Sequence, residues 1–219
     1  MNSASIIRLM NWLSPVFPTG GFAYSGGLEQ AVRDGAVTDE DALGGWLETL
    51  VGHGSIRNDL ILLAAAWKQQ AEGATLGDLA AMALALCSSA ERKLETVAQG
   101  AAFAEALKSW PESERIACPP ETPLPVIVGA ACQAGGIALE DGLSGFLQAF
   151  VSNQLQAAIR LSVIGQTGAA RLLAKLEPML VKAAGDADGS TLDDLGSATV
   201  MAEIASMNHE TLDGRLFRS

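Results

Sequence analysis

Apolar residues recur at three- and four-residue spacing along nearly the whole chain, and no run holds the two-residue alternation of a half-buried strand. Faces of that kind can be buried only by packing helix on helix, so the expected fold class is all-α, a single compact bundle of about eight to ten helices. Helices are expected at residues 5–14 and 25–34. Thr38, with Asp41 three residues on, reads as a capping box opening a helix through Trp46, Leu47, Leu50 and Val51. Gly52, Gly54 and Ser55 should interrupt it before a helix carrying Leu60, Leu63, Ala64 and Trp67. Further helices are expected at about 76–88, 90–109, 126–134, 140–164 and 168–184, with a polar, glycine-containing break at 185–190. Five prolines between Pro111 and Pro125 exclude a helix there and predict an exposed loop. A chain of 219 residues can bury one substantial core, so a single domain spanning 1–219 is expected, with a C-terminal tail from about 208 as its mobile part.

The segment 13–29 departs from this regularity. Pro15 and Pro18 bias it toward extended backbone, Gly20 and Gly21 permit a sharp reversal, and Ser25 can cap a helix carrying Leu28 and Glu29. Two readings stand: a tight helix-to-helix turn whose aromatics plug the core, or a contact surface.

A net charge of −11 repels nucleic-acid backbones and acidic lipid surfaces, so neither is an expected partner. With 49% hydrophobic and only 18% charged residues, part of the apolar surface is expected to meet another protein. Residues 1–14 make a poor signal peptide, and three widely spaced cysteines, Cys87, Cys118 and Cys132, fit a reducing cytoplasm. The uncharged run 142–159 is long enough to span a bilayer, but Ser144, Gln148, Ser152, Asn153, Gln154 and Gln156 make it too polar. Four of these, Ser144, Gln148, Ser152 and Gln156, form a stripe repeating every four residues without charge. Such a stripe suits either a desolvated polar contact or a core helix whose polar groups bond internally.

Chemistry is sparse. The only histidines, His53 and His209, have no second His or Cys at a ligand spacing, so no resident metal or cofactor is expected. There is no Gly-Lys dipeptide for a phosphate-binding loop and no Gly-x-Ser-x-Gly elbow, and the paired carboxylates Asp39/Asp41 and Asp193/Asp194 sit at helix starts, where they complement the dipole. The chain therefore reads as a non-enzyme. From Ala183 to Gly214 it has no Lys or Arg; then Arg215 and Arg218 bracket Leu216 and Phe217, apolar residues expected to be buried on this domain or on a partner.

The pattern Leu13-Ser14-Pro15-x-x-Pro18-x-Gly20-Gly21-Phe22-x-Tyr24-Ser25-x-Gly27-Leu28-Glu29 resembles the N-terminal signature of the UreF family of urease accessory proteins. A second block, 194–199 with 204–207, His209-Glu210-Thr211-Leu212 and 215–219, resembles that family's C-terminal pattern. Glu95, Gln99 and Gly100, and Arg160-Leu161 with Gly165-Gln166-Thr167, are weaker matches between the two. Asn208 and Asp213 depart from the pattern, which usually has a basic residue and an aromatic there. The resemblance implies a cytoplasmic, non-catalytic adaptor or regulator. It would form a homodimer, bind an accessory protein of the UreD or UreH kind, and recruit the GTPase UreG for nickel insertion into apo-urease. The implied partner or dimer interface comprises Pro18, Gly20, Phe22, Tyr24, Ser25, Leu28, Glu29, Gln148, Ser152, His209, Glu210, Thr211, Leu212, Arg215, Leu216 and Phe217. Rival readings are a GTPase-activating protein that lends Arg160 or Arg215 to the GTPase site, and a helical scaffold of an unrelated complex.

Overall fold

The computed structural model describes residues 3–219; Met1 and Asn2, which belong to the domain expectation and to the leader reading, lie outside them. The described residues form helices without strands: α1 (Ser3–Trp12), α2 (Leu28–Arg33), α3 (Glu40–His53), α4 (Ser55–Glu72), α5 (Gly77–Ala85), α6 (Ala90–Leu107), α7 (Leu124–Ala134), α8 (Leu139–Arg160), α9 (Gln166–Asp188) and α10 (Val200–His209). The all-α bundle expected from periodicity is the fold found.

Its centre is the pair α4 and α7. Both are buried nearly all round over much of their length, as a helix inside a bundle must be. Gly129 makes the close approach possible: a Cβ there would lie 2.3 Å from the Leu63 carbonyl oxygen on α4. Around the pair, α8 packs on α9, α6 on α7, α3 on α4 and α9, and α10 on the short α2. Among the described residues no helix is long and apolar enough to cross a membrane.

Three local expectations need correction. The cap of α3 is Asp39, whose side chain accepts from the Ala42 N–H at 2.9 Å; a carboxylate beside that amide takes the role expected of Thr38. The proline-rich stretch is more ordered than an exposed loop. Pro111–Arg115 is a 3-10 turn, Glu112 is buried against Arg8 at 3.0 Å, and Pro125 lies in the first turn of α7, where no intrahelical N–H is needed. The break expected at 185–190 is absent as far as Asp188, because Ala184 and Ala187 continue the buried face of α9 through Gly185.

Candidate functional site

The loop after α1 divides its aromatics. Phe17 is buried against Phe103 and Trp110, with ring centroids 5.0 and 5.5 Å away, and Tyr24 is also buried. Phe22, by contrast, is 72% exposed. Gly20, Gly26 and Gly27 adopt positive φ, and Gly27 cannot be replaced cheaply: a Cβ there would come 2.9 Å from the Ser206 amide on α10. The chain thus turns into α2 with α10 pressed against the turn.

Opposite that turn lies the tail. The Ser25 N–H and hydroxyl both donate to the Ser219 carbonyl, at 2.5 and 2.7 Å, and the Arg218 N–H donates to the Ala23 carbonyl at 2.7 Å. The Glu29 carboxylate accepts from the backbone N–H groups of Leu216 at 2.7 Å and Phe217 at 2.9 Å. Phe217 is buried, with the Arg160 guanidinium 4.1 Å from its ring centroid; the same guanidinium donates to the Phe22 carbonyl at 2.5 Å. Arg160 therefore pins loop to tail.

Beneath this seam His209 is fully buried. Its Nε2 lies 3.0 Å from a Glu29 oxygen and its Nδ1 lies 2.8 and 3.1 Å from the two oxygens of Glu91, whose carboxylate also accepts from Arg215 at 2.6 Å. Burial pushes the Glu29 carboxyl up, but hydrogen bonds from His209 and the Leu216 and Phe217 amides outweigh it and hold the group below its ordinary value. The two carboxylates approach opposite edges of the imidazole, so no single point is within ligand distance of all three groups. Among the described residues no set of three or more His, Cys, Asp or Glu side chains has the geometry of a metal site, and His53 is exposed at the end of α3.

A second buried charge cluster adjoins the first. Arg92 pairs with Asp59 and lies 3.5 Å from Glu95, which itself receives the Gln99 amide at 3.1 Å and the Ser219 hydroxyl at 3.5 Å. Burial raises both Asp59 and Glu95 despite the cation between them.

Of the residues expected at an interface, Tyr24, Ser25, Leu28, Glu29, His209 and Phe217 are buried inside the chain, where the 22–29 turn meets residues 209–219. Phe22, Pro18, Glu210, Thr211, Arg215 and Leu216 are exposed around that seam; Gly20 and Leu212 are half-buried. The uncharged stripe of α8 lies on the outside rather than in the core. Gln148 is exposed and donates to the half-buried Ser152 at 2.9 Å, and the adjacent Asn153 and Gln154 reach the Tyr24 and Ser25 carbonyls at 3.2 and 3.0 Å. Glu91, Asp59 and Arg92 were not singled out from the sequence: each sits on a helix where a charge reads as a solvated face.

Parts of the two blocks that matched the family pattern, the 22–29 turn and residues 206–219, thus meet in space with Glu95 and Arg160, whereas Gly196 and Ala198 lie against α4 and the end of α3. The model of the UreF family matches residues 37–177, nearly two thirds of the chain, a span that contains neither terminal block. The relatives cover both blocks. A urease accessory protein UreF of Mesorhizobium japonicum is 50% identical over 218 residues, 100% of this chain and 98% of that protein. UreF proteins of Agrobacterium fabrum and Rhizobium johnstonii are 50% and 51% identical, covering 99% and 98% of this chain and 97% and 96% of their own lengths. The chain belongs to the UreF family. It is accordingly a urease accessory protein and not an enzyme.

Proposed function

We propose that this UreF-family chain is the adaptor, or regulator, through which nickel-insertion components assemble on apo-urease. In this reading it forms a homodimer, binds a UreD/UreH-type protein, and with it recruits the GTPase UreG. The observation that supports an adaptor over a catalyst is the convergence of Phe22, Glu29, Glu95, Gln99, Arg160, His209 and Phe217 on the junction of the 22–29 turn with residues 209–219, where buried residues fix the backbone and Phe22 and Leu216 remain exposed. A rigid frame with apolar anchors at its rim suits protein recognition. The contacts of Arg160 and Arg215 argue against an arginine finger: one is held by the Phe22 carbonyl and the Phe217 ring, the other by Glu91, and either would have to leave these partners to enter a GTPase site. The dimer contact is assigned to the uncharged Gln148–Ser152 stripe of α8, and Gln148→Glu is expected to shift the chain toward monomer in light scattering. The adaptor role is tested by capturing UreG on the immobilised UreD/UreH-type protein. Capture is expected only when this chain is added; equal capture without it would overturn the reading.

A further inference from the structure

Between α4, α5, α6 and the entry to α7 lies a cavity of about 20 Å³. Its lining joins the polar side chains of Asn58, Asp59, Arg92 and Thr96 to the apolar Leu62 and Ala83. Asn58 and Asp59 are 6% and 9% exposed, so their polar atoms need partners within the fold or in this space.

Asn58 Oδ1 accepts from the Gly196 N–H at 2.9 Å. That donor sets the direction of the amide, with its oxygen toward Gly196 and its NH2 away from it. Asp59 Oδ2 accepts from Arg92, which leaves Oδ1 over. Among the described residues neither Asn58 Nδ2 nor Asp59 Oδ1 has a protein partner, yet both atoms keep accessible surface within buried residues. The space that both residues line is the cavity.

The two atoms select the occupant. One is a donor and the other a carboxylate oxygen, so a molecule that both accepts and donates satisfies them together. A cation would meet the Arg92 guanidinium already paired with Asp59 and the positive edge of the Asn58 amide; an anion would meet the Asp59 carboxylate. Cys87 also lines the cavity, but burial pushes its thiol up, so it offers no thiolate to a metal. A volume of about 20 Å³ holds one water and is far below that of an organic ligand site.

We propose that this cavity is a binding site for one ordered water molecule, which accepts from Asn58 Nδ2 and donates to Asp59 Oδ1. The water closes a polar path through the core. It runs from the Gly196 N–H through Asn58, the water, Asp59 and Arg92 to Glu95, which lies 3.5 Å from Arg92 and receives the Ser219 hydroxyl at 3.5 Å. Gly196 lies just before α10 and Ser219 in the tail, so the path ties both flanks of α10 to the bundle. Water bridges of this kind hold nearly as well as direct hydrogen bonds.

The test uses the chain alone and is independent of the adaptor reading. A high-resolution crystal structure should show one water peak within about 2.7–3.2 Å of both atoms. In solution, the Asn58 side-chain NH2 should show Overhauser effects from slowly exchanging water. Asn58→Leu, apolar and of similar size, should lose the water peak while Arg92 stays paired with Asp59. No peak, a peak out of reach of either atom, the anomalous signal of a metal ion, or a water that persists in the leucine variant would overturn the proposal. If that variant does not fold, the peak and the Overhauser effects in the unmodified chain decide.

Discussion

Replacing Glu29 by Gln keeps the volume of the side chain but gives it one acceptor oxygen and an amide that can only donate. Three donors face this group: the Leu216 N–H, the Phe217 N–H and His209 Nε2, at 2.7, 2.9 and 3.0 Å. Either orientation of the amide sets its NH2 against at least one buried donor, at about 1–3 kcal/mol for a group left unsatisfied. The remaining bonds lose their charge assistance, roughly 1 kcal/mol each from the difference between charged and neutral hydrogen bonds. A loss of about 3–5 kcal/mol follows, which at roughly 2–4 °C per kcal/mol for a chain of this size lowers the melting temperature by about 6–20 °C if tail and bundle unfold together. If the tail detaches alone, the melting temperature falls less but the Leu216 and Phe217 amides lose their protection from exchange. Differential scanning calorimetry and amide exchange on Glu29→Gln read both outcomes. A melting temperature within about 2 °C of the unmodified chain, with protection at both amides unchanged, would refute the acceptor role of Glu29.

Other expected outcomes concern the core and the response to acid. Arg92→Met should destabilise the chain by about 3–5 kcal/mol in urea titration, because Asp59 and Glu95 are left buried without their cation, and Asp59→Asn should cost distinctly less. Gly129→Ala should lower stability by several kcal/mol, roughly the upper range for overpacking, since its Cβ would press on backbone rather than a movable side chain; an unchanged urea midpoint would contradict the close α4–α7 contact. Glu29 has a folded-state value held below its ordinary 4.5, so its contribution is present above about that pH and is lost as pH falls through the depressed value; tail protection should decline in this acid window, and less so in Glu29→Gln.

Most helix positions were legible because burial imposes the three- and four-residue period, and the break at Gly54 follows local backbone chemistry that the sequence displays, but no helix was expected where α10 lies and α8 stops at Arg160 rather than at 164. The end of α9 was not: Gly185 is a weak helix former, but packing of Ala184 and Ala187 overrides it. The site was legible only as two blocks. Glu29 and His209 are 180 residues apart and Glu91 and His209 are 118 apart, and no local pattern announces that a carboxylate at the start of one helix will face a histidine at the end of another. The available signal was the stretch without Lys or Arg from Ala183 to Gly214 followed by Arg215 and Arg218, and it pointed to burial of Leu216 and Phe217 without naming their partners.

In the adaptor reading, the junction of the 22–29 turn with residues 209–219 is the surface that a UreD/UreH-type protein recognises. Size-exclusion chromatography with light scattering, on the mixture of that protein with this chain and with the Phe22→Ala/Leu216→Ala variant, measures this most directly. Both side chains are exposed, so the variant should melt at nearly the temperature of the unmodified chain. A stable complex is expected with the unmodified chain and none, or one at least tenfold weaker, with the variant. Absence of a complex with the unmodified chain, or equal binding by the variant, would contradict it.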